Sequence, residues 1–427
     1  MIQRSSNILR AIVLLISVLI IYLRKPSFFL EPRLWAEEGT RYFTYAYTHH
    51  WYESLINIQL GYFALWPNIA SLIAVNLVPL NHVPLVTTFF ALTVQIVPII
   101  LILWGQSYLW QHPVKKILCI FIILFTPLSN EIWLNTINSQ FYFSVITFIL
   151  LVNDIDTYPV RKWSSRLLLV CAGLTGVISC FLSPLFFLKA WWENKRERLI
   201  QACILATCTV IQIAILWMSI RSNTLPTRSV IFDLPLLVSI LWTQSISLLL
   251  FGFDTTYEFA QLIELSYANR NSFELIGLLL LFTESVFFLY ISSKLVLHQR
   301  VILLGSFFFL IILSIMGGRG SESDKFLLIS TGNGARYFYA PNVVLMFVIL
   351  ANIEWRGDVL DKIRSGLFTI LLATALILGI VQYQKFIGFS DEGPRWTEEV
   401  LRWQEDQTYK IKIWPSGWQI ELTQSPP

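Results

Sequence analysis

Long apolar runs separated by short polar loops constrain this chain more than any other feature. A membrane-spanning helix needs about 20 predominantly apolar residues, and several runs reach or approach that length. Only 14% of the 427 residues are charged, against roughly 25% in soluble domains, and the mean hydropathy is +0.62. We therefore predict an all-α polytopic membrane protein with no nucleic-acid partner.

The first apolar run follows Arg4 and Arg10, and no small-residue cleavage pattern follows it at 23–26. We interpret it as a retained first helix with a cytoplasmic N-terminus. Hydropathy predicts about eleven spans, at residues 8–23, 84–104, 117–128, 140–152, 167–180, 183–193, 199–218, 272–292, 301–316, 338–353 and 366–384. Basic residues concentrate in cytoplasmic loops. Those placed inside are His112, Lys115, Lys116, Arg161, Lys162, Arg166, Lys189, Lys195, Arg196, Arg198, Lys294, Arg300, Arg356, Lys362 and Arg364.

This orientation predicts a multi-pass protein of the inner (plasma) membrane, and it requires two apolar segments not to cross. Segment 62–80 is interrupted by Pro67 and Pro79, and we predict that it lies in the outer leaflet. If it crossed, the charges of every later loop would disagree with the orientation. Segment 235–252 poses the same question, and we keep it on the outer side with the rest of 219–271.

Two of the predicted spans, 167–180 and 183–193, are too short to cross singly at about 1.5 Å per residue. They are separated at Ser183-Pro184. Short helices at such a break survive only where neighbouring protein shields their backbone. This predicts a compact bundle with an internal cavity.

The composition changes near residue 385, which gives the predicted domain boundary. Residues 1–384 form the transmembrane domain, in which residues 24–83 are the first outer loop. Residues 385–427 form a small extracytoplasmic C-terminal tail. Within it, apolar residues at helical spacing over 396–403 predict an amphipathic helix, and alternation on both sides of a turn at 415–417 predicts a hairpin. We expect the tail indoles at the headgroup level.

Polar side chains gather in three loops that this topology places outside. The first carries the adjacent acids Glu37 and Glu38, and such a pair is costly near lipid and is rarely kept there without a function. The alternative is a solvated loop whose acids balance Arg33 and Arg41. The candidate substrate-binding residues from the three loops are Arg41, Tyr42, Asn135, Asn138, Gln140, Arg319, Lys325, Arg336 and Tyr337.

These residue types suit sugar transfer from a phosphate. A carboxylate takes a proton from an acceptor hydroxyl, arginines hold the phosphate, and amides and aromatic rings bind a sugar. The alternatives are that Asn135, Asn138 and Gln140 cap helix ends and that Arg336 is an interfacial anchor. The neighbours at 49 and 50 are both histidines, but they point about 100° apart on a helix. We predict no metal site and no cofactor, with a divalent metal left open.

The stretch Glu37-Glu38-Gly39-Thr40-Arg41-Tyr42, followed by Trp51, resembles the first outer loop of GT-C-type glycosyltransferases. The aromatic-rich segment 61–67 and the short helices around Gly173 and Ser183-Pro184 are similar to the same family, in particular to aminoarabinose–lipid A transferases and protein O-mannosyltransferases. The resemblance implies a GT-C-like bundle with interfacial helices on its outer face. It also implies that one glutamate of the pair is the catalytic base, and the sequence does not decide which.

The leading hypothesis is therefore an inverting glycosyltransferase that moves a sugar from a polyprenyl-phosphate carrier at the outer face of the membrane. Its expected partners are the lipid-linked sugar donor, membrane lipids, and a glycan, lipid or protein acceptor of the cell envelope. One alternative is a transporter or flippase of lipid-linked glycans, which would show internal repeats or paired broken helices. Another is a non-catalytic membrane protein of envelope assembly.

Overall fold

A computed structural model of the chain describes residues 2–155, 158–222, 233–267, 269–318, 327–354, 358–385 and 393–422. The helices are α1 (Ile2–Arg24), α2 (Ser27–Leu30), α3 (Thr44–Thr48), α4 (Trp51–Leu55), α5 (Leu65–Leu77), α6 (Val83–Trp104), α7 (Pro113–Phe125), α8 (Ser139–Val152), α9 (Pro159–Gly173), α10 (Ser183–Glu193), α11 (Arg196–Arg221), α12 (Leu234–Leu241), α13 (Ser247–Ser266), α14 (Arg270–Ser292), α15 (Leu297–Gly318), α16 (Ala335–Ala351), α17 (Val359–Tyr383) and α18 (Trp396–Glu405). Two antiparallel hairpins pair β1 (Ile58–Gln59) with β2 (Tyr62–Phe63) and β3 (Ile411–Ile413) with β4 (Trp418–Ile420). The predicted all-α class is confirmed.

Every predicted span overlaps a helix, but a count of eleven crossings is not confirmed. In the described ranges, the stretches long and apolar enough to cross a membrane are seven: Asn7–Arg24, Leu80–Trp104, Arg196–Arg221, Leu234–Ser266, Arg270–Ser292, Leu297–Gly318 and Val359–Tyr383. The helices at the other five predicted spans are α7, α8, α9, α10 and α16, with 11 to 17 residues each. At about 1.5 Å per residue they fall short of a hydrocarbon core of about 30 Å.

One of the seven stretches was not expected among the spans. The sequence places 235–252 on the outer side, but α12, the helical turn Trp242–Ile246 and α13 continue as one stretch of 33 residues. Gly252 interrupts this stretch with φ 78° and ψ −175°, a conformation that favours glycine. The acidic residues Asp254, Glu258 and Glu264 all come after this break.

The two most buried helices lie at the centre of the bundle. Every residue of α8 from Phe141 to Val152 is buried, and so is every residue of α16 from Phe338 to Leu350. The two helices contact through ring pairs such as Tyr142 and Tyr339, whose centroids are 5.0 Å apart. A helix that is apolar on all sides is buried by its neighbours, and those neighbours shield the ends of these short helices from lipid.

The first outer loop forms short helices and a hairpin. A helical turn at Glu38–Phe43 leads into α3 and α4, and the β1–β2 hairpin precedes α5. With 13 residues, α5 is about 20 Å long and too short to cross alone. Its length agrees with the prediction that segment 62–80 does not span the membrane.

The short helix pair is joined differently from the prediction. The first helix, α9, ends at Gly173 and not at residue 180, and a turn of 3-10 helix at Ser179–Leu182 leads into α10. A Cβ atom on Gly173 would lie 2.5 Å from the Cβ of Cys208, so α9 and α11 pack closely there. Gly176, with φ 84°, turns the chain after this contact.

The C-terminal tail packs on the first outer loop. The predicted amphipathic helix and hairpin are both present, as α18 and β3–β4. The backbone N–H of Trp414 donates to the carbonyl of Leu34 at 3.2 Å, and the N–H of Ala36 donates to the carbonyl of Trp414. The indoles of Trp396, Trp403 and Trp414 are at most 8% exposed and lie inside the tail. So small a unit needs these rings for its own core.

Candidate active site

Tyr62, at the end of the β1–β2 hairpin, lies where the three predicted outer loops meet. Its hydroxyl accepts a hydrogen bond from Nε2 of Gln140 at 3.5 Å. Tyr337, Arg336 and Glu37 are all close enough to act on it electrostatically. The structure thus brings predicted site residues from all three loops together around this one side chain.

The phenols of Tyr42, which is buried, and Tyr62, which is partly exposed, lie near the Glu37 carboxylate. Burial, assisted by Tyr337, raises the pKa of Tyr62 to about 12. Burial, assisted by Tyr62 and Glu37, raises the pKa of Tyr42 well above its ordinary value. Both phenols therefore stay protonated at neutral pH and remain able to donate a hydrogen bond, which suits contact with a sugar hydroxyl.

Glu38 is directed into the protein, and its carboxylate accepts hydrogen bonds from Trp35 and Thr136. The residue is 1% exposed. The N–H of Trp35 donates to Oε2 at 3.1 Å, and the N–H of Thr136 donates to Oε1 at 2.8 Å. The Thr136 hydroxyl donates to the same Oε1. Burial raises the pKa of Glu38, while these hydrogen bonds act in the opposite direction. Glu38 therefore ties the first outer loop to the second.

Glu37 has a different environment from its neighbour. It is half-buried and lies near Tyr42 and Tyr62. Across the described parts of the chain, no hydrogen bond or ion pair engages its carboxylate. The residue before it, Ala36, has φ 40°, a left-handed conformation that costs a non-glycine residue about 1–3 kcal/mol. The hydrogen bond from the Ala36 N–H to the Trp414 carbonyl stabilises this turn. After the turn, the Glu37 side chain is half-buried and the Glu38 side chain is buried.

Arg336 and Glu131 form an ion pair between the late loop and the second loop. Nη1 of Arg336 donates to Oε1 of Glu131. The Glu131 carbonyl accepts from Nδ2 of Asn135 and from Nδ2 of Asn138, both at 2.8 Å. The guanidinium also lies 5.0 Å from the ring of Tyr337. The two asparagines thus brace the loop that binds Arg336, and the Asn138 side chain makes no capping hydrogen bond to α8.

Gln140 is positioned by a glycine in the turn after α9. A Cβ atom on Gly176 would lie 2.2 Å from Oε1 of Gln140. Because Gly176 also has φ 84°, a side chain there would be strained and would displace the amide. The turn therefore belongs to the wall of the site, although it lies outside the three predicted loops.

Of the remaining predicted substrate-binding residues, Arg41 alone is described, and it does not join this cluster. Arg41 is exposed, and Arg319 and Lys325, like the basic residue Arg356, lie outside the described residues. The ring of His49 stacks on Tyr45 with centroids 3.8 Å apart. Among the described residues no group of three or more His, Cys, Asp or Glu is arranged to hold a metal ion.

Sequence reasoning missed Arg24, which fastens the base of the second loop. Its Nη1 donates to Oγ of Ser129 at 2.8 Å and its Nη2 to Oδ1 of Asn130 at 2.6 Å. The guanidinium lies 4.0 Å from the ring centre of Trp133, and only 4% of the residue is exposed. An arginine at the end of a span is usually a lipid-facing anchor, so the signal was present but ambiguous. Thr136, the partner of Glu38, carried no signal at all.

No protein-family model matches this chain, and no match was found to a curated protein or to a solved structure.

Proposed function

We propose that this protein is a membrane glycosyltransferase that moves a sugar from a polyprenyl-phosphate donor to an acceptor hydroxyl, with Glu37 as the base. The observation that carries the proposal is the accessible Glu37 carboxylate, which has no partner among the described residues. The protonated phenols of Tyr42 and Tyr62 lie near it, and the Gln140 amide and the Arg336 guanidinium adjoin Tyr62. The GT-C resemblance of the surrounding motif adds to this observation.

In the proposed reaction the acceptor oxygen attacks the anomeric carbon from the face opposite the phosphate. The bond between that carbon and the phosphate oxygen breaks, and the phosphate leaves with the bonding electrons. Glu37 accepts the proton of the acceptor hydroxyl. One base is sufficient because a phosphate leaves without protonation, so Glu38 is free to serve the structural role that its hydrogen bonds support.

Arg336 is the proposed phosphate ligand. The hydrogen bond to Glu131 uses Nη1 alone, which leaves Nε and Nη2 to face a phosphate as a two-pronged donor. The Tyr337 ring packs against the guanidinium and restricts its orientation. Tyr42, Tyr62 and Gln140 would then contact the sugar between the phosphate and the base.

A transporter of lipid-linked glycans is the second candidate, favoured by one observation. The helical stretch Leu234–Ser266 is broken at Gly252, and broken helices mark the substrate sites of many transporters. Transporters of that kind have paired breaks in repeated halves, whereas this break is single within the described residues. A transporter would bind the donor without separating the sugar from its phosphate.

The direct test uses purified protein and polyprenyl-phosphate sugars that carry a radiolabel in the sugar. The proposal expects saturable donor binding and, when a suitable acceptor is present, release of unlabelled polyprenyl phosphate. Binding without release across a panel of glycan, lipid and protein acceptors would favour the transporter. Absence of donor binding would reject both candidates and favour a scaffold of envelope assembly.

A further inference from the structure

A cavity lies among the apolar helices, and its lining shares no residue with the polar cluster. The consecutive helices α14 and α15 contact through Phe288, whose ring lies 5.3 Å from that of Phe307. A groove of about 840 Å³ extends between them, with α12 as its floor. On α14 it runs from Leu281 to Ser292, which is about 17 Å along the helix axis.

The groove opens towards the region where lipid would lie. Leu289 and Ile312 belong to its lining and are 70% and 51% exposed. Both lie on helices long and apolar enough to cross a membrane. An apolar molecule dissolved in the bilayer would therefore reach the groove sideways, without passing through water.

Glu284 is the one ionisable residue among those that line the groove. It is 3% exposed, and its Oε1 has no hydrogen-bond partner in the described parts of the chain. It lies about 21 Å from the start of α14 and about 12 Å from its end, at 1.5 Å per residue. An acidic residue this far inside a membrane helix is costly and marks a functional site by default.

We propose that this groove binds an uncharged lipid alcohol, whose branched or linear hydrocarbon fills the groove and whose hydroxyl hydrogen-bonds to the Glu284 carboxyl. A buried polar group without a partner costs about 1–3 kcal/mol, and a hydroxyl would supply the missing partner. The hydrocarbon matches a lining of leucine, isoleucine and phenylalanine side chains. The site is separate from the proposed transfer reaction and does not depend on it.

The chemistry of the lining excludes the other common ligands. An anionic headgroup would meet the Glu284 carboxyl with no basic residue in the lining to compensate it. A cationic headgroup would have to lose its hydration, and the desolvation of two buried charges often exceeds their attraction. A hydrocarbon without a hydroxyl would leave Oε1 of Glu284 unsatisfied. An uncharged ligand with one hydroxyl meets none of these penalties.

Carbodiimide labelling of the full-length protein in phosphatidylcholine nanodiscs tests the proposal. N,N′-dicyclohexylcarbodiimide is apolar and adds to buried carboxyl groups, and peptide mass spectrometry quantifies the adduct on Glu284. The competitors are phytanol, a saturated branched alcohol, and phytane, the same hydrocarbon without the hydroxyl. We expect both to protect Glu284, with phytane needing about fivefold higher concentration because it lacks one hydrogen bond of about 1 kcal/mol.

Two variants separate recognition of the hydroxyl from the folding of the helix. Binding of tritiated phytanol, competed by phytanol or phytane, should keep its preference for the alcohol in Glu284→Gln and lose it in Glu284→Leu. Ile312→Trp, at the exposed rim, should block binding of both competitors without disturbing the buried core. If Glu284→Leu fails to fold, Ile312→Trp still tests whether the groove binds the two competitors.

Several results would overturn the proposal. They are an unlabelled Glu284, equal protection by phytanol and phytane, no protection by either, and a Glu284→Leu protein that still prefers the alcohol. Protection without added lipid in nanodiscs that hold two copies, but not in those that hold one, would show that a second copy occupies the groove and would equally reject a lipid site.

Discussion

Nη1 of Arg336 donates to Oε1 of Glu131 across 205 positions of the sequence. This pair joins the start of α16 to the loop before α8, the two central helices of the bundle. It sets the guanidinium beside the Tyr337 ring and within electrostatic range of Tyr62. The proposed phosphate site is therefore built on the most buried part of the molecule.

Replacing Arg336 with lysine should impair donor use although it keeps the charge. Lysine cannot present the planar pair of donors that arginine offers to a phosphate. Loss of one charge-assisted hydrogen bond, about 1.5–3 kcal/mol, should lower kcat/KM for the donor by about 10- to 100-fold. The matched control is Glu131→Gln, which leaves the guanidinium in place and should cost less. Unchanged donor turnover in both Arg336→Lys and Arg336→Ala would contradict the assignment.

Glu38 should matter for stability and Glu37 should not. In Glu38→Gln the new amide NH₂ cannot accept, so at least one donor, on Trp35 or Thr136, loses its buried acceptor. We expect a loss of about 1–3 kcal/mol in the free energy of unfolding. Glu37→Gln, which removes no hydrogen bond within the described residues, should change it by less than about 0.5 kcal/mol. Thermal unfolding of the two purified variants compares them, and equal melting temperatures would reject the structural role of Glu38.

Gly176→Ala should destabilise the site wall. The new Cβ would overlap Oε1 of Gln140, and the positive φ adds backbone strain of about 1–3 kcal/mol. We expect a lower melting temperature and weaker sugar binding. The matched control is Gly366→Ala in α17, where nothing lies within 4 Å of the new Cβ and helix propensity improves by up to about 1 kcal/mol. If Gly176→Ala is as stable as Gly366→Ala, the turn does not position Gln140.

Labelling of introduced cysteines with a membrane-impermeant maleimide tests the predicted orientation. Ser416 in the tail and Lys195 between α10 and α11 are both exposed. In a Cys203→Ser background, which removes the exposed native thiol, Ser416→Cys should react in intact cells. Lys195→Cys should react only after permeabilisation, because basic loops face the cytoplasm. The reverse pattern would invert the topology and move the proposed site to the cytoplasmic side.

Much of the helical architecture was predictable because hydropathy acts over whole segments. The helices at the predicted spans followed from hydropathy, and the secondary structure of the tail followed from periodicity. The number of crossings was not predictable from the sequence. Hydropathy alone does not distinguish a short buried helix such as α8 from a membrane span. The break in the helix at Gly252 was not predictable either, because the presence of one glycine does not determine its φ angle.

The candidate site was predictable as a set of loops but not as a set of contacts. The acid pair drew attention to the first loop, yet no sequence rule assigns Thr136 to Glu38 or Glu131 to Arg336. Such pairings depend on how distant loops pack. Tyr62 shows this most clearly. The sequence identified it only as part of the aromatic segment 61–67, whereas in the structure it lies at the centre of the cluster.

Transfer activity of Glu37→Gln tests the central claim most directly. Purified wild-type protein, Glu37→Gln, Glu38→Gln and the double variant are compared with a radiolabelled polyprenyl-phosphate sugar and its acceptor. Because glutamine keeps the shape but accepts no proton, Glu37→Gln should lower the transfer rate by about 10²–10⁴-fold, with donor binding and melting temperature preserved. Wild-type transfer by the double variant would contradict the account.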